Sequence, residues 1–468
     1  MTGVALLIPL TFGMNPTSAI ILLAGIYYGA MYGGSTTSIL VNAPGESSSV
    51  VTCLDGYEMA KKGRAGPALA SAAIGSFVAG TFATLMLMLF GPWVAKIALS
   101  FGPPEFFSLM VAALTLVTSL AGRSLVKALL STLFGLAIAT VGIDLQSGVP
   151  RYTFGNPELM DGFEFVVVAI GLFALSEVFI NLAHMSQAAM ERLSIRGSLW
   201  LTKEDWKRFT PACIRGTLSG FFVGGIAGAG AAVASFVSYG MEKKVSKHRD
   251  ELGKGAIEGV AGPESANNSA AGGALIHLLC LGIPGSGTTA ILLGALIMLG
   301  LQPGPLLFQQ QPEFVWGLIA SMYLGNLAGL IVVLTTVPLF ASILRIPFSI
   351  IAPIIIVICA IGAYTVHNAM LDISFMLLFG VVGYLFKKLD YPLAPLVLAL
   401  VLGDKAEDSF RQAMLISQGE VSIMWANPLV GSITTLALIL LFWPLISRAL
   451  KKIRPGSPDE FIEQRPVD

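Results

Sequence analysis

The stretch "YGGSTTSILVNAPGE", Tyr32 to Glu46, decides how this chain folds. It follows an apolar run, "TSAIILLAGIYYGAM", and places Gly, Pro, Ser, Thr and Asn where a membrane helix would otherwise continue. Such a break frees backbone N–H and C=O groups, and each one left unsatisfied in lipid is costly. It survives only where protein buries it or where it lines a polar cavity.

Composition supplies the membrane. Hydrophobic residues make up 55% of the 468 residues and charged residues 12%, against about 25% charged in an ordinary soluble domain. Runs such as "IGSFVAGTFATLMLMLFGPWVA" and "FVWGLIASMYLGNLAGLIVVLTTVPLF" do not alternate in the manner of barrel strands. The expected fold is an all-α polytopic membrane protein with about 10–12 transmembrane segments, each needing roughly 20 residues to cross. A net charge of zero gives no basic surface for nucleic acid. Cys53, Cys213, Cys280 and Cys359 are isolated and read as small core residues. Met1 leads straight into "TGVALLIPLTFG" without the basic region of a signal peptide.

The opening stretch has a partner. "GIYYGAMYGGSTTSILVNAPGE" lines up with "ESANNSAAGGALIHLLCLGIPGS". Gly33-Gly34 falls on Gly272-Gly273 and Pro44-Gly45 on Pro284-Gly285, with one gap between them. Further anchors follow collinearly at Gly80/Gly329, Pro92/Pro338, Pro103/Pro347 and Phe134-Gly135/Phe379-Gly380. The chain therefore divides into a first transmembrane repeat over 1–185, a basic cytoplasmic linker over 186–209, a second repeat over 210–426, and a C-terminal helix with a polar tail over 427–468. Basic loops fall on opposite ends of matching helices. Lys61, Lys62 and Arg64 follow the first Pro-Gly, whereas "LQPGPLLFQQQPEF" follows the second. By the positive-inside rule this predicts inverted-topology repeats with broken, re-entrant helices. The basic C-terminal "SRALKKIR" resists, because an odd number of crossings in the second half would put it outside.

Paired breaks of this kind point to a binding site near the membrane midplane. Half-helix N-termini attract anions, and released carbonyls and hydroxyls suit Na⁺. The first break offers Ser35, Thr36, Thr37 and Asn42 around Pro44 and Gly45. The second offers Asn267 and Asn268 before its Gly pair, then Ser286, Thr288 and Thr289 after Pro284 and Gly285. These are the candidate substrate- and ion-binding residues. Glu264 and His277, near the second break, are the candidates for proton or cation coupling. The bland reading of Glu264 is a solvated helix cap, and of His277 a packed histidine. Small residues such as those of "GFFVGGIAGAG" more often serve helix packing. No nucleophile–base pair and no "GxxxxGK[ST]" is visible, so neither an enzyme nor an ATP-driven pump is expected.

Four blocks, "GIYYGAMYGGSTTSILVNAPGE", "LDGYEMAKKGRAGPALASAAIGSFVAGT", "YGMEKKVSKHRDELGKGAIEGVAGPESANNSAAGGAL" and "LGIPGSGTTAILLGALIMLGLQPGPLLF", closely resemble the large membrane subunit of tripartite tricarboxylate transporters. The resemblance spans nearly the whole chain. It implies a bacterial inner-membrane secondary transporter for tricarboxylates or other carboxylates, driven by Na⁺ or H⁺, with no cofactor beyond a coupling Na⁺. It also implies two partners, a small four-helix membrane subunit and a periplasmic solute-binding protein. The family pattern normally begins with an earlier arm carrying a Pro-Gly break, so the first half reads as N-terminally short. "VGGIAGAG" stands where the family usually has Pro-Gly in the second half. The competing readings are a stand-alone ion:solute symporter and a truncated, non-transporting remnant.

Overall fold

The structure, a computed structural model, describes residues 1–42, 44–120, 124–144, 147–183, 200–226, 230–343 and 348–453. Most of the expected linker (its residues 186–199), residues 227–229 of "VGGIAGAG" and the polar tail from 454 onward lie outside them. The protein is all-α and polytopic. A two-residue hairpin, β1 (Gly142–Ile143) with β2 (Pro150–Arg151), is the one sheet among the described residues.

The first half opens with α1 (Thr2–Leu7) and α2 (Pro16–Val41), which ends in the quoted break. It continues through α3 (Val50–Lys61), α4 (Ala65–Ala98), α5 (Pro103–Leu120) and α6 (Leu125–Ala139). After the hairpin come α7 (Phe165–Ala169) and α8 (Ser176–Ala183), joined by the π-helical segment Ile170–Leu175. The second half begins with α9 (Lys203–Gly224), α10 (Gly230–Val245) and α11 (Glu258–Leu281). Then follow α12 (Gly287–Met298), the short α13 (Leu307–Gln310) and α14 (Pro312–Ile343). The chain closes with α15 (Phe348–His367), α16 (Met370–Lys388), α17 (Leu393–Ile416) and α18 (Pro428–Ile453).

Among the described residues, four helical stretches are long and apolar enough to cross a membrane: Ala65–Ala98, Phe165–Ala183, Pro312–Thr336 and Met370–Lys388. The two helices flanking the second break, α11 and α12, are absent from that set for physical reasons. α12 is too short, and α11 carries Glu258, Glu264, Asn267 and Asn268 inside it.

Side-chain contacts fix the helix directions. Arg64 pairs with Asp205 at 2.5 Å, and the Lys62 ammonium donates to Lys254 O at 2.5 Å. Three basic loops therefore share one end of the molecule. α4 leaves that end, and α11 runs beside it in the same sense, with Gly75 facing Ser265, Gly272 facing Ala83, and the Cys280 thiol donating to Gly91 O. α14 runs the other way, with Phe308, just before it, against Gly91 and Asn326 against Gly80. α2 follows α14, placing Thr17 by Gly317 and Tyr32 by Gly329, and so opposes α11. α6 starts where α16 ends, because the Lys127 ammonium donates to Leu389 O at 2.6 Å. α17 then lies parallel to α6, through Gly135 on Leu396 and Gly403 on Ala139.

α18 answers the question raised by the C-terminus. It runs parallel to α5, tied by Asn427 to Glu105 at 2.8 Å and by Ser108 to Thr434 at 2.7 Å. It therefore returns toward the end that holds Lys61, Lys62 and Arg64.

Candidate functional site

Each break is a tight reversal built the same way. α2 stops at Asn42, which adopts the left-handed conformation (φ 53°, ψ 30°) and donates its N–H to Thr37 O. α11 stops at Gly282 in the same conformation (φ 69°, ψ 23°), its N–H directed to His277 O and Leu278 O. Gly and Asn are the residues that tolerate this helix-ending geometry. Pro and Gly follow, and then a residue caps the next helix. Glu46 receives the Ser49 N–H and Ser286 receives the Thr289 N–H, each in a reciprocal capping box.

The correspondence runs without a gap. Asn42 and Gly282, Pro44 and Pro284, Gly45 and Gly285, Glu46 and Ser286, and Ser49 and Thr289 are each 240 residues apart. The gapped alignment of Gly33-Gly34 on Gly272-Gly273 is therefore corrected: Gly34 matches Ala274. The turn explains this. A Cβ added to Gly45 would lie 2.6 Å from Gly34 Cα, and one added to Gly285 would lie 2.9 Å from Ala274 Cβ. Each loop thus folds back onto the small residue eleven positions before its Gly.

The two turns are unequal in burial. Asn42, Pro44 and Gly45 are exposed, whereas Pro284, Gly285, Thr288 and Thr289 are buried and Ser286 is half-buried. Ser35 and Thr36 are buried; the Ser35 hydroxyl donates to Tyr32 O at 2.8 Å, and that of Thr37 to Gly34 O at 3.1 Å, so both bond within their own helix. Ser286 O–H lies with Thr289 Oγ1 at 3.1 Å. The buried Tyr27 hydroxyl reaches Ser286 and lies in the electrostatic field of Glu46. Gly230, at the start of α10, packs on Ser286. The Glu46 carboxylate accepts from the Ser48 hydroxyl, and the Met1 amino group lies in its field.

Asn267 and Asn268 are not part of the second turn. Asn268 precedes Gly282 by 14 residues, roughly 20 Å along a helix. With Glu264 these residues form a separate cluster against the first half. The fully buried Glu264 carboxylate accepts from the Thr52 hydroxyl and from Asn267 Nδ2 at 3.1 Å. Asn268 Nδ2 faces Asn267 Oδ1 at 2.5 Å, Ser76 Oγ at 2.7 Å and Glu264 O at 3.0 Å. Glu264 is thus an interior group and no solvated cap. His277 turns back on its own helix, its Nδ1 3.3 Å from Gly273 O, which places it outside both groupings.

Three features were not legible as site elements in the sequence. Tyr27 and Tyr28 stand 240 residues before Asn267 and Asn268, a match visible only in the ungapped register. Thr52 and Ser76 carry no motif. Asp55, beside the first break, proves to be a clamp: its carboxylate accepts the N–H groups of Gly253 (2.9 Å), Gly255 (2.8 Å) and Ala256 (2.8 Å) and the Tyr239 hydroxyl (2.9 Å). It fastens α3 to the loop before α11, and its carboxylate occupies the space a Cβ on Gly259 would need.

A cavity of ≈ 350 Å³ lies away from the turns, between the hairpin and α17. Arg151 pairs with Glu407 at 2.8 Å and Arg411 with Asp144 at 3.0 Å and Glu407 at 2.5 Å. These pairs tie the hairpin to α17. The cavity's other acids, Asp161, Asp404 and Asp408, make it a poor host for an anion.

An uncharacterized 52.8 kDa protein in the TAR-I ttuC' 3' region of Agrobacterium vitis is 45% identical over 463 residues, covering 98% of this chain and 91% of that protein. An uncharacterized protein in the TAR-II ttuC' 3' region of the same organism is 40% identical over 244 residues, 52% of this chain and 99% of that protein. No solved structure matches at a significant level. The sequence model of the tripartite tricarboxylate transporter TctA family matches residues 1–398, and the chain belongs to that family.

Proposed function

We propose that the chain is the permease subunit of a binding-protein-dependent secondary carrier in the bacterial inner membrane. It takes up tricarboxylates or other carboxylates, driven by a Na⁺ or H⁺ gradient. It is a carrier and performs no chemistry on the solute. A small four-helix membrane subunit and a periplasmic solute-binding protein complete the system, in keeping with the tripartite family it belongs to.

One observation carries the reading: two identically built Pro-Gly turns, 240 residues apart, each ending one helix and capping the next. The opposed directions of α2 and α11, and of α4 and α14, support two inverted repeats. Glu46 supports the choice of an anionic solute. Its own carboxylate occupies the cradle of the first turn, while the matching cradle at Ser286 and Thr289 has only hydroxyls. A solute carboxylate at the second turn would meet the same N–H groups at a helix N-terminus, with the Tyr27 hydroxyl beside it. The positive-inside rule places the end with Lys61, Lys62 and Arg64 in the cytoplasm.

The test is uptake of radiolabelled citrate, tartrate and succinate into proteoliposomes holding the chain and its two partners, with Na⁺ and pH gradients imposed separately. Accumulation of one of them under one gradient is expected. Uptake of none under either gradient contradicts the carrier reading.

A further inference from the structure

Glu264 is a carboxyl in the wrong place for a charge without a partner. It is fully buried between α11 and α3, and it accepts hydrogen bonds from neutral donors, the Thr52 hydroxyl and the Asn267 amide. The ion pairs among the described residues consume the nearby arginines elsewhere: Arg215 holds Glu242 in a two-pronged contact at 2.7 and 2.8 Å, and Arg208 holds Glu258 and Glu251. Among the described residues, the ionisable groups in the field of Glu264 include Glu46 and Cys53, and neither supplies a positive charge. An ionised carboxylate buried in this way is strongly disfavoured unless a positive charge joins it.

A second observation points to a ligand. Asn268 Oδ1 is buried without a hydrogen-bond partner, on a residue with no exposed surface. Asn268 belongs to the same network, since its amide nitrogen faces Asn267 Oδ1. Three oxygens surround that nitrogen, one more than its two hydrogens can satisfy. The cluster is therefore rich in oxygen acceptors and short of positive charge.

The cluster exists on one side only. At the 240-residue spacing, Glu264 is matched by Ala24, Asn267 by Tyr27, Asn268 by Tyr28 and Thr52 by Leu292. Two repeats that need only to pack would have no reason to differ so sharply at four matched positions.

We propose that Glu264, with Thr52 and Asn267, seats one exchangeable monovalent positive charge, Na⁺ or a proton, and that this charge couples the two halves. Thr52 lies six residues past Glu46 on the arm that leaves the first turn, about 9 Å along a helix. Occupancy ties that arm to α11 and sets the first turn in place. Loss of the charge leaves a bare carboxylate that pulls water into the α3–α11 contact and loosens it. Naming it the coupling charge rests on the carrier reading; its binding does not.

The test uses the purified full-length chain in detergent and no solute. Binding of ²²Na⁺ is measured at pH 8, and proton uptake on acidification is measured in Na⁺-free buffer. Wild type should take up one more positive charge per chain than Glu264→Gln, as Na⁺ in the first arm or as a proton in the second. Thr52→Val keeps the carboxyl and the side-chain volume, and should weaken that binding by about tenfold, the worth of one hydrogen bond to a charged group. It also answers the question if Glu264→Gln fails to fold. Equal Na⁺ binding and equal proton uptake by wild type and Glu264→Gln overturn the proposal, as does unchanged affinity in Thr52→Val. Because no carboxylate is present, this result stands or falls apart from the uptake experiment.

Discussion

Ser286 and Asp55 do different work and should fail differently. Ser286 caps α12 and faces Tyr27, at a half-buried position. Ser286→Ala removes one capping bond, a loss of about 1 kcal/mol that leaves a protein of this size folded. In liposome uptake its effect should appear as a KM raised about tenfold with little change in maximal rate, if one hydrogen bond to a charged solute is lost. Asp55 is engaged by backbone N–H groups and the Tyr239 hydroxyl. Asp55→Asn turns half of a carboxylate that accepts four hydrogen bonds into a donor facing N–H groups. The cost is about 3 kcal/mol or more, and a lowered melting temperature in detergent should report it. The residue types at the turns were legible in the sequence because Pro-Gly beside Ser, Thr and Asn has few uses in a membrane helix. The role of Asp55 was not, since its partners are backbone N–H groups some 200 residues away and backbone leaves no signature in composition.

At the scale of elements, the contact of α9 with α11 is made by glycine. Gly216, Gly220 and Gly224 rest directly on the backbone of Gly262, Ala266 and Ala270, where an added Cβ has no room. Gly220→Val should force the helices apart at a cost of about 3 kcal/mol, seen as loss of the monodisperse folded species in size-exclusion chromatography. "GFFVGGIAGAG" read by itself as packing, and its first part is packing, whereas Gly230 closes on Ser286. One string of small residues serves both ends, and composition cannot divide it. The start of α9 carries a pH dependence. Burial pushes the Asp205 carboxyl up, but the bonds from Arg64 at 2.5 Å and from Thr202 outweigh it and hold it below the usual carboxylate range. A lowered folded-state pKa gives stability that is present above the unfolded value and lost as pH falls through the folded one. Melting temperature should therefore drop as pH falls below about 4, and Asp205→Asn should flatten that limb.

For the whole molecule, the expectation of two halves rested on collinear anchors; α2 opposes α11 and α4 opposes α14, as the proposed inverted repeats require. What the sequence left unresolved was the direction of α18. It was hidden because the evidence lies in two bonds to α5, Asn427 to Glu105 and Thr434 to Ser108, and neither pair has a pattern. The sidedness proposed from the positive-inside rule can be checked. In a chain with its native cysteines replaced, Phe154→Cys at the hairpin end should react with an impermeant maleimide in intact cells. Lys254→Cys at the basic end should react only after permeabilisation. The reading that the paired breaks form one binding site is tested most directly by protection. Cysteines placed singly at Asn42, Ser286 and Phe154 would be modified by a small thiol reagent in liposomes, with and without the carboxylate that supports uptake. Slowed modification at Asn42 and Ser286, with Phe154 unaffected, is the predicted result. Unchanged rates at both turns, with a solute that is being transported, would contradict it.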